Sequence, residues 1–384
     1  MARGLFVEPF YGGSHRAFAD GLVAHGGHAL ELLTLPGRAW RRRMRLGAQV
    51  LAGRAKLLPT AFDFLLVTDM LDLPTFLALT RLRFAATPVL LFMHENQLTY
   101  PRLRGTQLNS WFGQINYLSA LAADRVAFNS DYHRDDFVTA LERLSQQPNN
   151  WLEPAAIETI RTKSTVLPVG VDLGSLANPP APPATSAVQD GPLILWNHRW
   201  EFDKAPEPFV RTMTQLAEEG HAFRLAVLGS RGDNPSAAML ALPERLGDRL
   251  VQFGHVESRA EYSRLLWEAD LVVSTTRHEF FGVATVEAMF CGCLPLVPHR
   301  FNYPALVPAA LHERCLYETE AEFLAKVRLA LQASDRVQGG GASDAERAAL
   351  RSSAERFGWE VVGPLWGEAL EELAASAAGP PRSA

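Results

Sequence analysis

Leu271-Val-Val-Ser-Thr275 followed by Arg277-His-Glu-Phe-Phe-Gly282 and Val283-Ala-Thr-Val-Glu-Ala-Met289 is the stretch that decides the fold. The first run reads as a buried strand and the second as a loop. The third starts a helix with Val286, Met289 and Phe290 as its apolar positions, stopped by Gly292. Leu294-Pro-Leu-Val297 then supplies a short apolar strand, so the unit is strand, loop, helix, strand, as in a parallel α/β sheet. A helix entered through Gly282 offers unpaired N–H groups and the positive end of its dipole, where a diphosphate can sit. Glu279 lies before that helix and Glu287 about one turn into it. Carboxylates are poor phosphate ligands, and their natural work there is to accept hydrogen bonds from sugar hydroxyls on either side. The plainer reading of the same letters is a surface glutamate and an unrelated helix glutamate near a glycine.

Working outward, strand and helix patterns alternate along the whole chain. Leu5-Phe-Val7 reads as the first strand, Glu8 to His15 as a loop, and the residues through Ala24 as a helix. Phe64 to Thr68, Val89 to Met93, Arg125 to Ser130 and Ser164 to Val169 read as further strands of one doubly wound domain. A second series runs through Leu193 to Asn197, Phe223 to Gly229, Val251 to Gly254, Leu271 to Ser274 and Leu294 to Val297. The expected organisation is a Rossmann-like domain over 1–177, a proline-rich linker over 178–190, and a second Rossmann-like domain over 191–355. The two are expected to face each other across a cleft. A largely helical stretch follows to residue 375, with breaks near Gly358 and Pro364, and a disordered tail over 376–384.

Composition bounds the function. The 384 residues are 47% hydrophobic and 21% charged, as in an ordinary globular protein, with room for two cores. No apolar run is long enough to span a membrane and none resembles a signal peptide, so a cytoplasmic protein with no membrane partner is expected. Cys291, Cys293 and Cys315 form neither a disulfide framework nor a zinc pattern. The net charge of -5 does not favour a polyanionic partner, but Arg38, Arg41, Arg42, Arg43, Arg45, Arg54 and Lys56 crowd one segment that contains no acid. On a helix, Trp40, Met44, Ala48, Leu51 and Ala55 share one side and the basic residues spread over the other. That face suits nucleic-acid phosphates or a membrane surface, or is simply solvated and balanced by acids elsewhere.

Three further segments carry chemistry at expected strand ends. Asn197-His-Arg-Trp-Glu-Phe-Asp-Lys204 offers Arg199 as a planar fork and Lys204 as a point charge for a diphosphate. Tyr11-Gly-Gly-Ser-His15 is a glycine-rich turn that departs from the dinucleotide fingerprint. Its place makes Gly12 and Gly13 candidates for the donor phosphate and Tyr11, Ser14 and His15 for the acceptor. His94-Glu-Asn-Gln-Leu-Thr-Tyr100 packs an imidazole, a carboxylate and two amides together, with His94 as a catalytic candidate and Glu95, Asn96, Gln97 and Tyr100 beside it. Gly254-His-Val256 is placed to line a nucleotide base through His255 and Val256, and His278 adjoins Glu279.

The paired glutamates with Glu287-Ala-Met289 and Gly292-Cys-Leu-Pro295 resemble the signature of the retaining GT-B glycosyltransferases. That resemblance implies the GT-B fold, a C-terminal helix over 356–375 crossing back to the first domain, Glu279 beside the donor sugar and Glu287 on the ribose. It also implies Arg199 and Lys204 on the diphosphate, His94 touching the sugar, and no metal ion or other cofactor. Phe280, Phe281, Gly282 and Val283 complete the expected donor pocket. The motifs Glu8-Pro-Phe-Tyr-Gly-Gly-Ser-His15, His94-Glu-Asn-Gln-Leu-Thr-Tyr-Pro101, Asn116-Tyr-Leu-Ser-Ala-Leu-Ala-Ala-Asp124 and Phe128-Asn-Ser130, in that order, narrow the family further. They resemble the tRNA-queuosine α-mannosyltransferases, which move mannose from GDP-mannose to the cyclopentene-diol of queuosine in the anticodon of tRNA(Asp) with retention. The implied partners are GDP-mannose and that tRNA, with no obligate protein partner, and Arg41, Arg42, Arg43 and Arg45 are expected on its phosphates. Tyr11, Tyr100 and Trp111 are available for stacking on a splayed base. The competing readings are a membrane-associated mannosyltransferase acting on a lipid or glycan, and a noncatalytic RNA-binding protein with a decayed donor pocket.

Overall fold

Phe64-Leu-Leu-Val-Thr68 and Val89-Leu-Leu-Phe-Met93 are buried at every position, the mark of strands covered on both faces. In the computed structural model, which describes residues 1–101, 110–148, 152–179, 191–232, 235–334 and 342–376, they are the centre of the first of two parallel sheets. That sheet orders its strands β2-β1-β3-β4-β5-β6, with β1 Arg3–Tyr11, β2 Ala29–Pro36, β3 Phe64–Thr68, β4 Val89–Met93, β5 Arg125–Phe128 and β6 Ser164–Val166. The second orders them β12-β11-β10-β7-β8-β9, with β7 Leu193–Asn197, β8 Arg224–Leu228, β9 Leu250–Gly254, β10 Leu271–Val273, β11 Leu294–Pro298 and β12 Leu316–Tyr317. All pairings are parallel, so every strand delivers its carboxyl end to the same edge of its sheet. Chain direction across each sheet reverses at one place, between β1 and β3 in the first and between β7 and β10 in the second, which is where such sheets bind ligands.

The two sheets lie in separate compact units. One comprises Met1–Tyr100 and the described residues of Arg104–Gly170 and of Trp359–Ala384; the other comprises Pro101 and the described residues of Val171–Gly358. The chain therefore leaves the first unit at Gly170, not at the proline-rich stretch after 177. Residues 171–176 are claimed by the second unit because Val171 N–H donates to the Phe357 carbonyl, Trp267 Nε1 to Leu176 and Arg259 to Asp172. The second unit likewise runs past 355, through the Asp344–Glu355 helix with its Ser343 and Glu346 capping box, to Gly358. Residues 180–190 and 377–384, expected as linker and tail, lie outside the described residues.

Trp359–Ser376 forms one helix that joins the first unit, where it packs on the Gly13–His25 helix, β3 and β4. Trp359 lies against Gly21 and Gly170 so closely that a Cβ on either would fall 2.3 and 2.4 Å from its ring. Trp366 Nε1 donates to the Pro168 carbonyl at 3.0 Å. The expected break at Pro364 does not occur: the proline forfeits one backbone hydrogen bond, and the buried row Val362, Trp366, Leu370 and Leu373 holds the helix together.

Three sequence expectations change at the elements. β1 continues through Glu8 to Tyr11, and the next helix opens at Gly13, so the loop expected over 8–15 shrinks to a turn and His15 is helical. Glu8 is completely buried with its Oε1 accepting from the Phe10 N–H, which keeps this stretch extended. β2, an edge strand only partly buried, and the two-residue β12 are additions that lack a strong apolar signal.

Candidate active site

At the crossover of the second sheet, Lys204, beyond β7, meets Glu279, beyond β10. Lys204 Nζ lies 3.2 Å from Glu279 Oε2, 3.2 Å from Asp203 Oδ2 and 3.4 Å from the His278 carbonyl. The side chains of Lys204 and Glu279 are 12% and 18% exposed, so this charge is partly shielded yet open to a ligand. Burial alone would favour neutral Lys204, but Glu279 and Asp203 overcome it and hold the amine's pKa above its usual value. Burial likewise pushes the Glu279 carboxyl up, and Lys204 prevails to hold it below its usual value. Arg199 stands exposed beside Glu201 at 3.2 Å. His198 is buried with Nε2 lacking a hydrogen-bond partner among the described residues, and burial first, then Lys204, lowers its pKa to about 3, so it is neutral.

Glu287 comes from the Val283–Phe290 helix and is already braced. Arg259 Nη1 donates to its Oε1 at 2.9 Å and the Tyr262 hydroxyl to its Oε2 at 2.6 Å, while Asn197 Nδ2 donates to that hydroxyl at 2.6 Å. One lone pair remains on each carboxylate oxygen for a diol. Gly282 opens the helix at φ +103°, and a Cβ there would stand 2.9 Å from Leu306 Cδ1, so the turn requires glycine. No side chain caps this helix. Phe280 and Phe281, expected in the donor pocket, bury their rings, at 5% and 4% exposure, against His278 and Phe357, so what they can offer a donor is the loop backbone. Val283 and Val256 are half-buried and His255 is exposed. Among the described residues of this unit no three His, Cys, Asp or Glu side chains converge.

The crossover of the first sheet gathers Glu8 from β1, His15 from the first turn of the Gly13–His25 helix, Asp69 just past β3 and His94 just past β4. His15 Nδ1 is 3.2 Å from Glu8 Oε2, His94 Nε2 is 4.0 Å from the same oxygen, and the two imidazole centroids are 4.1 Å apart. Burial would lower the His15 pKa, but the Glu8 carboxylate, aided by Asp69 and Glu95, raises it to about 9. Burial and then the His15 cation drive the His94 pKa well down. Asp69 Oδ1 accepts from the His94 N–H at 2.9 Å, and burial raises its carboxyl pKa. His15, expected at the acceptor, is thus buried and paired with Glu8.

The loop after His94 is braced rather than displayed. Asn96 is fully buried: its Oδ1 accepts from the Leu98 and Thr99 N–H groups and its Nδ2 donates to Asp136. Gln97 N–H donates to Asn116 Oδ1, and Asn116 Nδ2 donates to the Asp69 carbonyl. Asn96 and the Gln97 backbone, expected at the acceptor, are thus engaged in holding the loop. Asn129 Nδ2 donates to the His94 carbonyl at 2.8 Å, while Asn116 reaches His94 only through its neighbours Asp69 and Gln97. Glu95 and Tyr100 are half-buried, Gly12 is half-buried, and Gly13 and Ser14 are exposed. Tyr11 stays half-buried, its hydroxyl donating to Asp20.

The Trp40–Ala55 helix buries Met44, Ala48, Leu51 and Ala55, as its spacing predicts. Arg41, Arg42 and Arg45 are exposed and Arg43 half-buried. Arg41 and Arg45 lie over the rings of Trp40 and Phe112, while Arg43 and Arg54 each donate to a backbone carbonyl. Among the described residues none of these guanidinium groups makes a direct ion pair with a carboxylate. Trp111 is 54% exposed.

Sequence reasoning passed over Asp69, His198, Arg259 and Tyr262. Thr68-Asp69 at the end of a buried strand was the legible signal for the first; Arg259 and Tyr262 sit on a helix whose pattern carries none.

Residues 3–171 match the family described as tRNA-queuosine alpha-mannosyltransferase N-terminal, and residues 181–336 that of glycosyl transferases group 1. The sucrose-phosphate synthase of Thermosynechococcus elongatus superposes with a TM-score of 0.72 at 16% identity, over 97% of this chain and 100% of that one. Anabaena HepE in complex with UDP-glucose does so at 0.67 and 15%, over 97% and 100%. The fold and the group 1 module define a GT-B hexosyltransferase. The tRNA-queuosine alpha-mannosyltransferase of Drosophila melanogaster is 36% identical over 312 residues, 79% of this chain and 81% of its own length. The GDP-mannose:cellobiosyl-diphosphopolyprenol alpha-mannosyltransferase of Xanthomonas oryzae is 27% identical over 49% of this chain and 43% of its own. This chain belongs to the tRNA-queuosine alpha-mannosyltransferase family.

Proposed function

We propose that this protein transfers mannose from GDP-mannose to the cyclopentene-diol of queuosine in tRNA(Asp), with retention of configuration, in the cytoplasm and without a metal ion. The observation that carries this reading is the Lys204 and Glu279 pair at the crossover of the second sheet. Lys204 and Arg199 neutralise the diphosphate as the bond from the sugar C1 to the phosphate oxygen breaks, a task that otherwise falls to a metal ion. Glu279 accepts from a sugar hydroxyl and Glu287 from the ribose. The acceptor hydroxyl attacks C1 from the face the phosphate leaves and gives its proton to that phosphate, so no protein nucleophile is needed. His94 contacts the sugar being moved. The unpaired arginines of the Trp40–Ala55 helix support a polyanionic acceptor and act on its phosphates.

The test is incubation with GDP-mannose and queuosine-containing tRNA, followed by nuclease digestion and mass spectrometry. A hexose added to the queuosine nucleoside, absent with tRNA lacking queuosine, is expected. Donor binding without that product would move the acceptor to a lipid or glycan.

A further inference from the structure

We propose that Glu8 and His15 are positioning residues for the transfer: their ion pair pins the His94 imidazole in one orientation at the carboxyl edge of the first sheet. The inference rests on the proposed function, in which His94 contacts the sugar. Glu8 is wholly buried yet carries no backbone duty beyond the Phe10 N–H on Oε1, so its second oxygen is committed to His15 at 3.2 Å and to His94 at 4.0 Å. A buried carboxylate is costly unless paired, and His15 is what pairs it. The His94 ring is fixed on its other sides by Phe92 and Phe18, with centroids at 4.6 and 5.0 Å, and its backbone by Asp69 and Asn129. Its Nε2 is buried with no hydrogen-bond partner among the described residues, and the Glu8 carboxylate at 4.0 Å is an anion placed to orient it.

Charge follows from the same geometry. A cation at His15 disfavours a second one on His94 only 4.1 Å away, so His94 remains a neutral hydrogen-bonding group while His15 keeps its proton. The charged and titratable groups around the two rings are Glu8 from β1, Asp69 beyond β3, Glu95 beside His94, and His133 from the Asp131–Ser145 helix. Phe10, Phe18 and Phe92 are the aromatic neighbours. Glu8 Oε2 lies within 4.0 Å of a nitrogen of each ring.

The experiment measures kcat and both KM values on queuosine tRNA from about pH 6 to about pH 10 for the wild type, Glu8→Gln and His15→Asn, with thermal melts alongside. The wild type is expected to hold its kcat until His15 loses its proton near 9. Glu8→Gln keeps the acceptor for the Phe10 N–H but removes the anion, so kcat is expected to fall about tenfold with both KM values little changed, and the alkaline decline to move toward the ordinary imidazole value of about 6.5. His15→Asn should be slow and lack that decline; it carries the comparison should Glu8→Gln not fold. An unchanged kcat in the folded variants, or a decline left in place by Glu8→Gln, overturns the inference. So does one tightly bound divalent ion per chain lost in Glu8→Gln, because the three side chains would then serve an ion. A wild type that makes no queuosine product fails the proposed function instead, before any variant is compared.

Discussion

Lys204 Nζ and Glu279 Oε2 are 3.2 Å apart although 75 positions separate the residues in sequence. β7 and β10 are neighbours at the crossover of the second sheet, and the loops that leave their carboxyl ends meet there. Lys204 is thereby held ready to neutralise charge that appears on a leaving diphosphate, without reorganisation at the moment of reaction. Lys204→Ala and Glu279→Gln should each lower kcat about a hundredfold, roughly 3 kcal/mol of transition-state stabilisation. Steady-state assay checks this, and near-normal turnover in both would remove the pair from the chemistry.

Tyr262 should reveal itself through binding. Its hydroxyl braces Glu287, so Tyr262→Phe frees the carboxylate to wander and should raise the GDP-mannose KM about fivefold, near 1 kcal/mol, with kcat little changed. A drop in kcat at unchanged KM would contradict the ribose role of Glu287.

The arginines of the Trp40–Ala55 helix should act through salt. Replacing Arg41, Arg42 and Arg45 by alanine removes three exposed cations and should flatten the slope of log affinity against log salt by about 2, at about 0.7 per phosphate contact. Turnover at saturating tRNA should persist. Filter binding across a salt series gives the slope, and an unchanged one would take the helix off the tRNA.

Gly282→Ala tests the turn into the donor helix. The φ of +103° and the 2.9 Å approach of Leu306 leave no room for a methyl group, so the cost should be about 1–3 kcal/mol in denaturant titration, with donor binding weakened as well. Wild-type stability and binding together would mean the loop relaxes freely.

Stability itself should fall at alkaline pH. The His15 pKa is raised on folding, to about 9, so the stabilisation is fully present below the unfolded value and is lost as pH rises through 9. The span from about 6.5 sets an upper figure of about 3 kcal/mol. Urea unfolding at the two ends of that window should show the loss in the wild type and little of it in Glu8→Gln.

Much of the fold was legible because its central strands are uniformly apolar and its loops carry glycine and charge. Phe64 to Thr68 and Val89 to Met93 announce themselves; β2, half-exposed at a sheet edge, does not. The unit boundary was misplaced because proline-rich composition is a local signal, whereas the true crossing at Gly170 is set by hydrogen bonds between Val171 and Phe357, far apart in sequence. Lys204 and Glu279 could be singled out by type and position. That Asn96 and Asn116 brace a loop, and that Tyr262 braces Glu287, depends on contacts between distant elements that no periodicity encodes.

The return of Trp359–Ser376 to the first unit makes that unit's birth dependent on its partner. A ribosome that has completed β6 has supplied the sheet, but Gly21 and Gly170 still face an empty slot until the tryptophan emerges about half the chain later. The nascent chain must carry an unsealed hydrophobic surface throughout synthesis of the second unit. A chain terminated early within that second unit leaves the surface bare, a flaw that chaperones and proteases can recognise.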